Sequence, residues 1–112
     1  MPNVICHFEI GCRDKEATKQ FFGKLFDWTM EEMGPATMIR TGAEVGGHIA
    51  SLGHEPHNYT VFYVKVDDVK ASLEKANALG GKTLVPPVEI PSGVFAWLAD
   101  PEGNTIGVFQ DR

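Results

Sequence analysis

The sequence has little positive charge: Lys and Arg together number 10 against 15 Asp and Glu, so the formal net charge is −5. No run of basic residues offsets this deficit. Nucleic-acid binders need a basic patch that neutralises phosphates, and helices that lie on membranes need a basic polar face. The composition therefore argues against a nucleic-acid partner and against a membrane partner.

Long apolar runs are also absent, since none approaches the ~20 residues that span a bilayer. Residues 1–7 lack the charged segment and following apolar segment of a signal peptide. Cysteine is scarce as well, with only Cys6 and Cys12 present. In one strand their side chains would lie about 20 Å apart, too far for a disulfide. Free thiols suit a reducing compartment, so we expect a cytoplasmic protein in which both cysteines are small buried apolar residues.

The 112 residues fit one domain, and its two halves resemble each other. Residues 8–26 and 62–80 each predict a strand, a turn that ends in an aspartate, and an amphipathic helix. Asp14 and Asp68 can accept hydrogen bonds from the free amides of the first helical turn. The apolar positions at helical spacing are Ala17, Phe21, Phe22, Leu25 and Phe26 in the first helix and Val69, Leu73, Ala76 and Leu79 in the second.

Three strand-like segments separated by turn residues follow each helix. They cover residues 27–33, 37–41 and 45–51 in the first half and 82–90, 94–99 and 105–110 in the second. The pattern predicts two βαβββ repeats, over residues 4–53 and 58–112, joined by the connection 53–58. The alternative is an ordinary α+β domain whose halves match by chance.

Several short motifs in this order resemble the vicinal oxygen chelate superfamily, which contains glyoxalase I and the bleomycin-resistance proteins. The match is to the short proteins related to lactoylglutathione lyase. The motifs are His7-Phe8-Glu9-Ile10 with Asp14, Phe21 to Trp28, Gly46-Gly47-His48, Val64 to Val69, Leu79 to Lys82 and Asp100 to Asn104. The resemblance implies an α+β fold in which two βαβββ repeats form a curved mixed sheet around a cavity.

The resemblance also implies a divalent metal bound by the first and fourth strands of each repeat. Such an ion polarises a carbonyl or holds vicinal oxygens. His7 falls at the position of the first ligand, and Glu9 follows on the same strand face. His48 matches the second ligand, with Glu44 as the competing candidate.

The second half departs from this pattern. Phe62 stands near the expected position of the third ligand, and Gly107 stands where the fourth, usually a glutamate, should be. Two ligands of four do not make a tight site within one chain, so we expect an incomplete metal site at His7 and His48.

What remains is a predicted cavity with aromatic walls. Concave, mostly apolar pockets with a few polar groups bind small organic molecules. We predict that the cavity is lined by His48 and by Trp28, Phe62, Tyr63, Phe95 and Trp97. Aromatic residues of this kind are also common in cores. The remaining histidines, His54 and His57, are expected in loops near the connection.

Three functions are compatible with the predicted fold, the incomplete metal site and the aromatic cavity. One is a glyoxalase-like lyase or isomerase in which His7 or Glu9 is the general base. Another is a metal-free protein of the bleomycin-resistance type, which sequesters a small molecule or antibiotic. A third is a structural or regulatory module with a filled cavity. We expect a homodimer, because short members of the group build their sites between chains.

Overall fold

The computed structural model describes residues 2–50 and 57–112. The chain divides into two compact units, one formed by Cys6–Val61 and the other by Phe62–Arg112 together with Met1–Ile5. The predicted connection and His54 fall on or beside residues 51–56, outside the described residues. His57 lies just before a strand, at half-buried depth.

The first unit contains one helix and four strands. Strand β1 (Ile5–Gly11) leads into helix α1 (Lys15–Phe26), which is followed by β2 (Thr29–Met33), β3 (Ala36–Arg40) and β4 (Gly46–Ala50). The strand order is β2-β3-β4-β1, in which β1 and β4 are parallel and the other pairs are antiparallel. This is the βαβββ arrangement that the sequence predicts.

The second unit repeats the same connectivity. It contains β5 (Tyr59–Lys65), helix α2 (Val69–Ala78), β6 (Lys82–Ile90), β7 (Gly93–Ala99) and β8 (Thr105–Asp111), although the first three residues of β5 belong to the first unit. Its strand order is β5-β8-β7-β6, with β5 and β8 parallel. The prediction of an α+β fold with two βαβββ repeats is confirmed. The β6–β7 register shifts between Thr83 and Val85 and again between Val85 and Val88. The second shift spans Pro86 and Pro87, which have no amide hydrogen to donate.

Both helices begin at the predicted aspartates. Asp14 Oδ1 accepts from the Ala17 amide at 3.0 Å, and Asp68 Oδ1 accepts from the Ala71 amide at 3.1 Å. These bonds satisfy donors that the first helical turn leaves unpaired. Among the described residues, neither helix is long and apolar enough to cross a membrane.

Each unit has a small core between its helix and its sheet. In the first, the buried residues Cys12, Ile39 and Ile49 pack with Phe8 and Trp28. In the second, the core consists of Val69, Leu73, Ala96 and Val108. The predicted apolar stripe of α1 is only partly covered: Phe22 is half-buried, whereas Phe21 and Leu25 are 58 % and 57 % exposed. Four large apolar residues on 12 positions give a stripe wider than the first unit covers.

Candidate functional site

The polar residues of β1 and β4 meet on one face of the first sheet. Alternate residues of a strand share a face, so His7, Glu9 and Gly11 point the same way. His48 lies directly opposite Glu9 in the parallel β1–β4 pairing. His7 Nε2 and His48 Nδ1 are 2.7 Å apart, at hydrogen-bond distance. On the other side of the ring, His48 Nε2 lies 3.5 Å from Glu9 Oε1.

Tyr59 extends this arrangement by one member. Its hydroxyl donates a hydrogen bond to Glu9 Oε2, while its ring lies against Gly11. A Cβ built on Gly11 would come within 2.0 Å of a ring carbon of Tyr59. Only a glycine at position 11 leaves room for the ring of Tyr59. His7, His48, Glu9 and Tyr59 therefore form one continuous chain of polar contacts, here called the polar row.

Burial controls the protonation of the polar row. Burial, the largest effect, and the neighbouring His48 together lower the pKa of His7 to about 4, against a raising effect of Glu9. Burial also lowers the pKa of His48, against a raising effect of Glu9. The pKa of Tyr59 is raised, first by burial and then by its hydrogen bond to Glu9. At neutral pH both imidazoles are therefore neutral, and Tyr59 keeps its hydroxyl proton.

The contacts favour one arrangement of the protons. A carboxylate only accepts, so Glu9 favours a proton on the facing Nε2 of His48. The Nδ1 of a neutral His48 is then an acceptor, which assigns the proton between the two rings to His7 Nε2. His7 Nδ1 is left unprotonated. The polar row thus selects the tautomer of His7 in which Nδ1 is the basic nitrogen.

The burial of these histidines predicts acid sensitivity. In the unfolded chain His7 titrates near 6.5, whereas in the folded chain its pKa is about 4. Because the unfolded state binds more protons between these values, stability is complete above pH 6.5 and declines as the pH falls towards 4. Allowing for solvent around a half-buried ring, we expect His7 to account for a loss of about 2 kcal/mol.

Urea unfolding at pH 7 and at pH 4 measures this loss. His7→Asn should show a smaller decrease in the free energy of unfolding between the two pH values than the wild type. An equal decrease in both proteins would contradict the assignment.

A cavity of about 560 Å³ lies in the first unit, and His7 is one of its lining residues. Two methionines, Met33 and Met38, supply apolar wall. Arg40 and Glu31 form an ion pair at 2.7 Å between Arg40 Nη2 and Glu31 Oε1. The other lining residues are Ile39, Gly42, Ala43, Glu44, Gly46 and Gly47. His7, one end of the polar row, therefore lines a space of the size that holds a small molecule.

The predicted aromatic residues are divided between different surroundings. Trp28 packs in the first core, with its ring centroid 5.5 Å from Phe8 and 5.8 Å from Phe22. In the second unit Trp97 Nε1 donates to the Tyr63 hydroxyl at 2.8 Å, and Phe95 packs edge-on to Tyr63. Phe62 precedes Tyr63 on β5 and so points to the opposite face of that strand.

The structure thus gathers Tyr63, Phe95 and Trp97 on one face and separates them from Phe62, while Trp28 belongs to the core beneath α1. Ligand contact by these five residues remains a prediction. Of the predicted polar residues, His7, Glu9 and His48 are brought together, and Glu44 lies instead in the cavity-lining segment after β3.

The polar row does not fit a metal ion. Ligand atoms must converge on one point about 2 Å away. An ion shared by both rings would also need their nitrogens roughly 3.3 Å or more apart, against the 2.7 Å of the hydrogen bond. Among residues 2–50 and 57–112, no group of three or more His, Cys, Asp or Glu side chains is placed to hold an ion. The ion-binding role predicted for His7 and His48 therefore finds no support in this geometry.

Sequence reasoning missed Tyr59, Arg40 and the two cavity methionines. The available signal was Gly11, since a glycine inside a strand often marks close approach by another group. Nothing in the sequence indicated which group approaches it.

The first strand, the fourth strand and their polar residues define the class of protein. The model of the Glyoxalase/Bleomycin resistance protein/Dioxygenase superfamily matches residues 4–108, so the chain belongs to this superfamily. A glyoxylase-like domain-containing protein of Didymella fabae is 29 % identical over 113 residues, covering 90 % of this chain and 88 % of that protein.

Two further proteins extend the comparison. A protein named as a glyoxylase, CFP32 of Mycobacterium bovis, is 41 % identical over 69 residues, which are 61 % of this chain but only 26 % of that protein. The chain thus matches about a quarter of that relative. The crystal structure of methylmalonyl-CoA epimerase from Mycobacterium tuberculosis superposes with a TM-score of 0.71 at 11 % identity, covering 96 % of this chain and 87 % of that one. At this identity the likeness concerns the fold.

Proposed function

We propose that the protein is a glyoxalase-like enzyme of the isomerase or lyase class, which removes a proton from a carbon beside the carbonyl of a small molecule. The observation that carries this proposal is the polar row, which begins in a half-buried tyrosine and a buried carboxylate and ends at His7 on a cavity wall. A base next to a cavity, oriented by further groups behind it, is the arrangement that general-base catalysis uses.

The proposed step needs only side chains of this chain. The substrate C–H bond breaks as a bond forms between its proton and His7 Nδ1, and the electron pair stays on the substrate as an enolate. The positive charge on His7 is shared with His48 through their hydrogen bond, and Glu9 faces that charge. Because burial keeps the pKa of His7 low, the imidazolium gives its proton back readily, as an isomerase requires.

Exchange of substrate protons with solvent deuterium tests this function. Small hydroxyketones, oxoaldehydes and acyl thioesters would be incubated with the purified protein in D2O and followed by proton NMR, with and without a chelator. We expect loss of the proton beside the carbonyl for at least one compound, at a rate that the chelator leaves unchanged. Absence of exchange across all three classes would overturn the proposal.

A metal-free binding protein is the second candidate. The observation in its favour is the charge of the cavity wall, where Glu31 and Glu44 outnumber Arg40. Such a wall suits a cationic ligand of the kind that bleomycin-resistance proteins bind. Stabilisation in a thermal-shift screen by a cationic aromatic compound, without any exchange activity, would favour this function over catalysis.

Assembly and location belong to the same proposal. We propose a small-molecule partner, a homodimer and a cytoplasmic location, in line with the short relatives, the acidic composition and the presence of only two cysteines. Size-exclusion chromatography that returns a monomer would count against the dimer.

A further inference from the structure

The orientation of the Glu9 carboxylate decides which way the hydrogen bonds of the polar row run. A carboxylate side chain on a strand can rotate about its last bonds, and His48 lies 3.5 Å from Glu9 rather than at close hydrogen-bond distance. A second restraint on the carboxylate would keep one oxygen directed at His48. Glu9 is 4 % exposed, so bulk water is a poor candidate for that restraint.

Tyr59 supplies it from the other side. Its hydroxyl donates to Glu9 Oε2, while Glu9 Oε1 is the oxygen that faces His48. The tyrosine ring cannot approach further, because it already lies against Gly11 at a distance where a Cβ would collide. The contact of the Tyr59 ring with Gly11 fixes the position of its hydroxyl, and the hydroxyl in turn fixes the orientation of the Glu9 carboxylate.

We propose that Tyr59 is the positioning residue of this site. Its ring packs against Gly11, and its hydroxyl orients the Glu9 carboxylate. Through His48, this carboxylate sets the tautomer of His7. The inference rests on the proposed function for its purpose, since a fixed tautomer matters when His7 Nδ1 is the base. Its structural content can be tested without a substrate.

Glu9→Gln gives a signature that a merely structural role would not produce. Tyr59 would donate to the amide oxygen, so that the amide NH2 group faces His48 Nε2. That nitrogen must then accept, which moves the proton of His48 to Nδ1 and the proton of His7 from Nε2 to Nδ1. Nitrogen-15 NMR of the imidazole rings, assigned with His→Asn variants, reports the two tautomers directly. We expect both rings to change tautomer in Glu9→Gln.

The decisive comparison adds Tyr59→Phe. Without the hydroxyl the amide at position 9 can rotate, so Glu9→Gln combined with Tyr59→Phe should lose the uniform change of tautomer. In the otherwise wild-type chain, Tyr59→Phe should abolish the nitrogen–nitrogen scalar coupling across the His7–His48 hydrogen bond.

Tyr63→Phe is the matched control. Tyr63 also lies with its ring over a glycine, Gly107, and its hydroxyl is also hydrogen-bonded, but to Trp97. The effect must be specific to the Tyr59 hydroxyl, so changes in the His7 and His48 spectra that Tyr63→Phe reproduces in both backgrounds would overturn the positioning role. Circular dichroism checks that each variant folds.

The positioning role would be overturned by wild-type tautomers in Glu9→Gln, or by identical spectra with and without the Tyr59 hydroxyl. Should Tyr59→Phe not fold, the result in Glu9→Gln decides alone. Failure of the proposed function looks different: the tautomers would behave as described, and no compound would exchange its proton.

Discussion

His7→Asn lowers the rate of substrate proton exchange by about 10²–10⁴-fold, the range that a positioned general base contributes. Asparagine keeps a polar side chain of similar reach but has no basic nitrogen. Because the cavity walls stay intact, substrate affinity should change much less than the turnover number. Exchange of the proton beside the carbonyl in D2O, measured at saturating and at low substrate, separates the two quantities.

Lys75→Gln provides the control for this experiment, since it changes an exposed side chain of α2 in the second unit. It should retain wild-type exchange. If His7→Asn kept more than a tenth of the wild-type rate, the base would have to be another residue. Glu9 would then be the first candidate, as the second catalytic residue that the sequence predicts.

The pairing of β1 with β4 explains why part of the site could be predicted from the sequence. The superfamily motifs placed His7 and Glu9 on the first strand and His48 on the fourth, and the parallel register brings His48 opposite Glu9. The role of this set could not be predicted in the same way. A motif gives the positions of ligand-type residues, whereas the direction of each imidazole nitrogen depends on contacts between strands.

Tyr59 shows the limit more clearly. It stands 48 positions after Gly11 in the sequence, and its side chain acts on β1 only because the fold brings the two together. Aromatic composition could not separate this tyrosine from Trp28, which packs in a core. The fold itself was easier to predict, because the capping aspartates, the helical stripes and the turn residues are local signals that occur twice.

Two glycine–tyrosine pairs occur in the structure. In each unit a tyrosine of β5 lies over a strand glycine, Tyr59 over Gly11 and Tyr63 over Gly107. The partners of the hydroxyls differ: a buried carboxylate in one unit and the indole of Trp97 in the other. A tyrosine ring packed on a strand glycine therefore supports a cluster of ionisable side chains in the first unit and a cluster of aromatic side chains in the second.

Gly11→Ala should destabilise the protein by about 3 kcal/mol, at the upper end of the range for overpacking. The added methyl group would lie 2.0 Å from the ring of Tyr59, so the ring must leave its seat. The hydroxyl then moves away from Glu9, a buried group that loses a donor as a result. Urea unfolding followed by fluorescence measures the loss of stability, and the nitrogen–nitrogen coupling between His7 and His48 should disappear.

Gly107→Ala is the counterpart in the second unit, because its added methyl group would lie 2.4 Å from the ring of Tyr63. We expect a similar loss of stability with the His7–His48 coupling retained. Combining Gly11→Ala with Tyr59→Ala removes the collision, so the double variant should lose clearly less stability than the sum of the two single variants. Strict additivity would mean that the ring of Tyr59 does not rest on Gly11, and the polar row would then lack its anchor.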